Sequence, residues 1–424
     1  MMKRRSFVQA SLAFGPLAGL LGCASTLPGK AKVVVIGGGF AGATAAKYVR
    51  ILSDYQIDVV LVEPNTSFIS CPTSNLVIGG SRSMADITTP YDNLSDKHGV
   101  IQARDRVKRI DTARKSVELA GGSKLAYDKL IVAPGVDFLW DSIEGLQQAN
   151  AEGQILHAWK AGAETTALRR QLESMPDGGV YAISVPLMPY RCPPGPYERA
   201  SQVAHYFKQA KPRSKVLILD ANPKIVSKGA LFSKFWADNY PGMIEFRGNH
   251  KAVAVDGKTR NVKFEGADDV RVDVLNVVPN MSAGSIAMQS GLANVNNRWC
   301  QVDFLTFEST AAKDVHIIGD AVQSAPGMPK SGHMANSHGK VVAAAVVAQL
   351  SGLEVNPNPM LTNTCYSFVN DKLVVHVASV HQYHATENTY KTVPGSGGLS
   401  PAPNELEGVY AWNWAQNIWA DTLL

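Results

Sequence analysis

The sequence predicts an α/β fold: two Rossmann-like dinucleotide-binding units, one set inside the other, followed by a C-terminal α+β interface unit. Three observations predict it. A β-branched run, Val33 to Ile36, leads into Gly37-x-Gly39-x-x-Gly42 and an Ala-rich helical stretch, and the next strand ends at Glu63, 21 residues after Gly42. Two later segments, "YDKLIVAPG" (127–135) and "VHIIGDA" (315–321), each read as a buried strand running into a glycine turn. Between them, "GGVYAISV" and "SKVLILD" repeat a strand–helix–strand register.

The chain of 424 residues is long enough for two or three units with a sizeable core. Apolar residues make up 45%, an ordinary globular share. The net charge of +5 includes Lys3, Arg4 and Arg5; without them it is +2, which gives no argument for nucleic acid.

Residues 1–30 read as an export signal: a basic start, then an apolar run from Phe7 to Gly22 broken by Pro16. That run is shorter than the roughly 20 apolar residues of a membrane span. Arg4-Arg5 before Ser6-Phe7-Val8 resembles a twin-arginine signal, which carries proteins already folded around a cofactor; an ordinary secretory signal is the alternative. The expected location is therefore periplasmic. "LLGC" resembles a lipoprotein box, so Cys23 is either lipidated and tethers the chain to a membrane, or is discarded.

Residues 31–150 and 281–355 form the first, discontinuous unit. Strand, glycines, helix, strand and terminal acid in one register make a dinucleotide site: Gly37, Gly39 and Gly42 admit the pyrophosphate and Glu63 meets the ribose hydroxyls. The two further signatures, with Ala133 and Gly135 in one and Gly319-Asp320 in the other, select FAD over NAD. They resemble the signatures of disulfide-reductase-like flavoproteins with two dinucleotide domains, with Pro134 where Thr is usual. Val107 and Lys330 complete the expected FAD contacts. The helix after Asp320, from "SGHMANSHGK", should point its N-terminus at the flavin.

Residues 151–280 form the second unit. A nicotinamide-binding GxGxxG is expected after "VYAISV", but "PLMPYRCPPG" stands there, bulky and proline-rich, with Cys192 in it. Residues 356–424 form the third, with strands such as "LVVHVASV".

The four cysteines beyond Cys23 are too few for a disulfide-stapled scaffold. Cys192 and Cys365, 173 residues apart, would link two units if they paired. Such a bond is either a plain staple, of about 5 kcal/mol by loop entropy, or a redox disulfide facing the flavin. Cys71 is either a small buried hydrophobe or a thioether to the flavin. Cys300 in "RWCQVD" is structural. Glu198 is either a helix-start acid or a general base beside Cys192. His381 and His384 have no companion ligands, so no metal site is expected.

The chain resembles the flavoprotein subunit of flavocytochrome c sulfide dehydrogenases from about Lys32 onward. The resemblance lies in "AGATAAKY", "HAWKAG", "RCPPGPYERASQVA", "TFES", "IGDA", "MPKSG", "ANSHGK" and "LTNTCYS". It departs at "GDAVQSAPG" and around "FISCPTSN". The resemblance implies FAD held covalently by Cys71, a redox-active Cys192–Cys365 disulfide, and Glu198 as base. It implies that hydrosulfide attacks the disulfide, that the freed thiolate passes two electrons to FAD, and that sulfur leaves as polysulfide or elemental sulfur. Electrons then go to haem c. This chain has no C-x-x-C-H, so the haem belongs to a separate cytochrome subunit.

Three rivals remain. A sulfide:quinone oxidoreductase would need a membrane-binding C-terminal helix, and "GVYAWNWAQNIWADTLL" carries tryptophans but no Lys or Arg. A non-catalytic flavoprotein would keep the glycines and Asp320 without needing Glu198 or a proline-flanked Cys192. An NADH-dependent disulfide reductase is disfavoured by the missing second glycine motif and the missing C-x₄-C pair.

Overall fold

The computed structural model describes residues 30–424. The export signal, the Arg4-Arg5 pair and Cys23 lie outside the described residues.

The first sheet has seven strands. Its parallel part runs in the order Val315–Ile317, Lys129–Val132, Lys32–Ile36, Asp58–Val62 and Ile101–Ala103. The inner strands are β-branched and buried on both faces, as a parallel sheet covered by helices demands. On one face the Phe40–Leu52 helix packs against the Gly332–Ser351 helix through small residues such as Ala41, Thr44 and Gly339.

Between these segments lies a second parallel sheet, Ile244–Arg247, Lys215–Asp220, Val180–Val185 and Val274–Val277. The Gly195–Ala210 helix connects its two inner strands. Pro193 and Pro194 precede that helix, and Pro196 sits in its first turn, where a missing N–H costs nothing.

The C-terminal unit is an antiparallel sheet of Met360–Phe368, Val374–His384 and Thr389–Thr392, closed by the Glu405–Leu423 helix. Asn404 caps that helix by accepting from the Glu407 N–H. Its far end is fastened to the first unit. Lys47 Nζ donates to the carbonyls of Ala420 and Asp421 at 3.1 and 3.0 Å, and Lys340 pairs with Asp421 at 2.8 Å. Trp419 is buried, while Trp412 stacks on the Arg82 guanidinium at 4.0 Å. The tail thus packs on the protein body. No helix among the described residues is long and apolar enough to cross a membrane. The α/β architecture with two parallel sheets is the one expected.

Candidate active site

A cavity of about 890 Å³ opens where the parallel strands of the first sheet end. At one end is the glycine turn. Gly37 is at φ +95, and a Cβ there would lie 2.3 Å from the Ala133 carbonyl oxygen, so only glycine fits. Gly39 meets no protein atom within 4 Å: its missing Cβ leaves room in the cavity, at the N-cap of the Phe40–Leu52 helix. Glu63 follows directly on the second strand, and its Oε2 accepts from the Gly38 N–H at 2.8 Å. Ala133, Gly135, Gly319, Asp320 and Lys330 also line the cavity. The bare backbone, the open helix N-terminus and the acid suit the pyrophosphate and ribose of FAD.

Two expected FAD contacts stand back from the wall. Gly42 faces the protein: a Cβ there would meet the Gly37 carbonyl oxygen at 1.9 Å, so this glycine serves helix–strand packing rather than the phosphate. Val107 opens the Val107–Asp111 strand of a separate antiparallel sheet, and its neighbour Arg106 reaches the cavity instead.

At the other end, Cys71, Cys192, Cys365 and Glu198 share the same cavity. All four cysteines of the described residues are thiols, with no disulfide among them. Cys192 sits at φ +57, a left-handed conformation that costs a non-glycine residue roughly 1–2 kcal/mol. It is held there by its N–H, which donates to the Lys330 carbonyl at 2.9 Å, and by the Gly195 N–H on its own carbonyl. The Lys330 Nζ in turn donates to the Asp320 carbonyl at 2.8 Å. Burial pulls the Lys330 ammonium down to about 8. Cys365 comes from the C-terminal sheet. Its thiol points to Asn363 Oδ1 at 3.5 Å, which also accepts from Ser331 Oγ at 2.6 Å. Ser331 caps the Gly332–Ser351 helix by accepting from the Met334 N–H, so the helix N-terminus faces the cavity beside Cys365. Burial raises both thiols, and a charge on Cys365 or Glu198 further opposes ionisation of Cys192.

Glu198 is buried in the first turn of the Gly195–Ala210 helix. Its Oε1 accepts from the Phe368 N–H and its Oε2 from Asn75 Nδ2, both at 2.8 Å. Burial pushes its carboxyl up, against the pull of those two donors and of Lys228 and Arg199. Asn75 is fixed by Arg199 Nε at 3.0 Å, and Arg199 spends its remaining donors on the carbonyls of His157 and Ala158 and on Asn276. Cys71 receives Arg191 Nη2 and the Ala161 N–H on its sulfur, each at 3.4 Å.

Sequence reasoning missed Asn75, Arg191, Arg199 and Lys228. Arg191 and Arg199 lie in the quoted cysteine segment and could have been suspected from it. Asn75 and Lys228 carry no local signal. Cys300 is fully buried, bridges to Val322 and is pushed up to about 12 by burial, as suits a structural thiol. His381 is buried between Ser379 and Thr392. No group of three or more His, Cys, Asp or Glu side chains able to hold a metal lies among the described residues.

Comparisons with known proteins follow the same lines. The family model of the sulfide dehydrogenase (flavocytochrome c) flavoprotein chain, central part, matches residues 165–279. The flavin-binding model of flavocytochrome c sulphide dehydrogenase matches residues 357–423, and that of pyridine nucleotide-disulphide oxidoreductases matches 31–171. The sulfide dehydrogenase (flavocytochrome c) flavoprotein chain of Chlorobaculum thiosulfatiphilum is 59% identical over 49 residues, 12% of this chain and 100% of that one. The mitochondrial sulfide:quinone oxidoreductase of Dictyostelium discoideum is 25% identical over 299 residues, 68% of this chain but only 65% of the relative's length. Among solved structures, the sulfide:quinone oxidoreductase of Aquifex aeolicus superposes with a TM-score of 0.77 at 17% identity, covering 92% of this chain and 91% of that one. The NAD-dependent persulfide reductase of A. fulgidus gives 0.61 at 15% identity, covering 91% and 76%. These likenesses carry the fold; the family models and the Chlorobaculum relative carry the kinship. The chain belongs to the family of flavocytochrome c sulfide dehydrogenase flavoprotein chains, FAD-binding oxidoreductases.

Proposed function

We propose that this protein oxidises hydrosulfide through the Cys192–Cys365 pair and passes the electrons, by way of FAD, to a c-type cytochrome subunit. The observation that carries the reading is the meeting of two cysteines from separate units, beside a buried carboxylate, in the cavity that also holds the dinucleotide glycines. A structural staple has no need of that cavity.

When bound, FAD accepts the electron pair from sulfur and releases it one electron at a time. The protein's own groups do the rest. Gly37, Gly39, Glu63 and the start of the Phe40–Leu52 helix hold the pyrophosphate and ribose. Hydrosulfide attacks one sulfur of the oxidised pair; a persulfide forms there and the other cysteine leaves as a thiolate. Glu198, pushed up by burial, takes the proton of an incoming H₂S on a carboxylate oxygen. Cys71, with two donors on its sulfur, is the attachment point we assign to FAD. The haem lies on a partner, since this sequence has no C-x-x-C-H. We also assign the protein to the periplasm, from its Arg4-Arg5 signal.

A quinone acceptor is the second reading, favoured by the sulfide:quinone oxidoreductases among the relatives. The Glu405–Leu423 helix has no Lys or Arg to meet anionic lipid, which favours the cytochrome. The test is an anaerobic sulfide titration of the flavin spectrum, with cytochrome c and a quinone offered side by side. Bleaching that is lost in Cys365→Ser, with electrons delivered to the cytochrome, is expected. Unchanged sulfide turnover in Cys365→Ser would overturn the reading.

A further inference from the structure

Lys228 is not among the residues lining the cavity, and the proposed mechanism gives it no part. It ends the loop before the Gly229–Asn239 helix at φ +55, and it is only 5% exposed. A buried ammonium is costly unless something nearby needs its charge. Its Nζ donates to the Cys365 carbonyl at 2.9 Å, to Ser367 Oγ at 2.7 Å and to the Val375 carbonyl at 3.3 Å. All three acceptors are neutral, and all belong to the C-terminal sheet that carries Cys365. The groups facing it that can bear negative charge are Cys365, Glu198, Cys192 and Glu407. Glu198 is already held by the Phe368 N–H and Asn75, and Glu407 by Ser400 and His376 at 2.6 and 2.9 Å. The other cations at the site are engaged elsewhere: Arg191 with Cys71 and the Trp159 carbonyl, Arg199 with Asn75, Asn276 and two carbonyls. Of the charges that raise the Lys228 ammonium, that of Cys365 comes first and that of Glu198 second.

We infer that Lys228 is the counter-ion of the sulfur site: it takes up the negative charge that appears on Cys365 when the Cys192–Cys365 bond opens, and so directs the incoming sulfur to Cys192. The inference rests on the redox-pair reading above. The step balances. Hydrosulfide brings an electron pair to Cys192 Sγ, the Cys192–Cys365 bond breaks, and a new sulfur–sulfur bond forms. Cys192 becomes a persulfide that keeps the hydrosulfide proton. Cys365 leaves with the bonding pair as a thiolate, so one negative charge stands on each side. In thiol–disulfide exchange the sulfur whose anion is better stabilised leaves faster.

The two cysteines differ in that respect. Burial raises both, and Lys228 is the largest opposing influence on each; on Cys192 the charges of Cys365 and Glu198 outweigh it, whereas on Cys365 Lys228 outweighs Glu198. Lys228 acts through Cys365 and is a positioning residue. Burial lowers its own ammonium to about 8. Its charge is therefore present below that pH and is lost as pH rises through it, so the preference for Cys192 should fade in mildly alkaline solution.

The experiment uses the oxidised holoprotein, mixed anaerobically with one equivalent of sulfide, quenched with iodoacetamide and mapped by peptide mass spectrometry. The persulfide adduct is expected on Cys192 and the plain alkyl adduct on Cys365. In Lys228→Met the preference should fall by about tenfold, the size of one pKa unit, and the loss above pH 8 should vanish. Lys228→Arg, which keeps the charge, should restore most of the preference. A persulfide on Cys365 in the native protein overturns the inference without any variant. So does a Lys228→Met protein with the native partition and pH profile. A persulfide on neither cysteine overturns the redox-pair reading itself, and this inference with it.

Discussion

Phe368 donates its backbone N–H to Glu198 Oε1 at 2.8 Å, although the two residues lie 170 positions apart. One belongs to the second α/β unit and the other ends the strand that carries Cys365. This bond, with those of Lys228 to the same strand, sets the Cys365 strand against the helix that follows Cys192. The unit that elsewhere would hold a nicotinamide here presents an acid and a thiol to the C-terminal sheet.

Glu198 should therefore show in the pH dependence of turnover. Burial raises its carboxyl, so the base is ionised only above a pH higher than the ordinary carboxylate value. Sulfide-dependent flavin reduction should fall as pH drops through that point. Glu198→Gln should slow the reaction by about a hundredfold and remove this acid limb in stopped-flow traces. The same shift has a stability sign. A carboxyl whose folded pKa is raised stabilises the fold most below its unfolded value, and that contribution is lost as pH rises through the folded pKa. The variant should lack this loss in denaturant titrations. A variant with native rates and only a changed stability would leave Glu198 as a helix-start acid.

The glycines make a sharper test of the cofactor cradle. Gly39→Ala puts a methyl into the cavity without touching protein, so the chain should fold with native thermal stability and lose bound flavin. Gly42→Ala drives a methyl to 1.9 Å from the Gly37 carbonyl oxygen. That variant should lose several kcal/mol, on the order of 3 or more, through forced separation of helix and strand. Flavin absorbance and calorimetry on the two proteins separate the roles. Equal effects from both would contradict the assignment.

This contrast also marks what was legible in the sequence. The strand–glycine–helix–strand register is local, so Gly37, Gly39, Gly42 and Glu63 could be read from spacing alone. The division of labour between Gly39 and Gly42 could not, because it depends on which side of the turn each faces. Cys192 was legible because proline and cysteine stand where glycine was expected. Asn75 and Lys228 were not: each is an ordinary residue in its own stretch, made important only by what folding brings beside it. Val107 is expected at the FAD, yet Arg106, one residue earlier, is the side chain that lines the cavity.

Cys71 can be tested without any assay of turnover. If its sulfur holds the flavin, acid precipitation of the native protein should carry the yellow colour into the pellet. Cys71→Ser should release it to the supernatant while keeping the fold. Flavin that stays with the serine variant after precipitation would exclude Cys71 as the attachment point.

Asp314 offers a test of the scaffold beneath the site. It ends the turn before the Val315–Ile317 strand, which delivers Gly319 and Asp320, and it pairs with Lys115 and Lys129, each at 2.7 Å. Burial alone would raise its carboxyl, but the two ammonium groups outweigh it and hold it down at about 2. A depressed folded pKa means stability that is present above the unfolded value near 4 and lost as pH falls toward 2. Asp314→Asn keeps a residue tolerant of the local φ of +61 and removes only the charge. It should cost about 1 kcal/mol at pH 7, discounted for the water around Lys115, and the gap between variant and native protein should close as pH falls through the carboxylate range. A gap that stays constant with pH would place the effect in the backbone turn instead of the ion pairs.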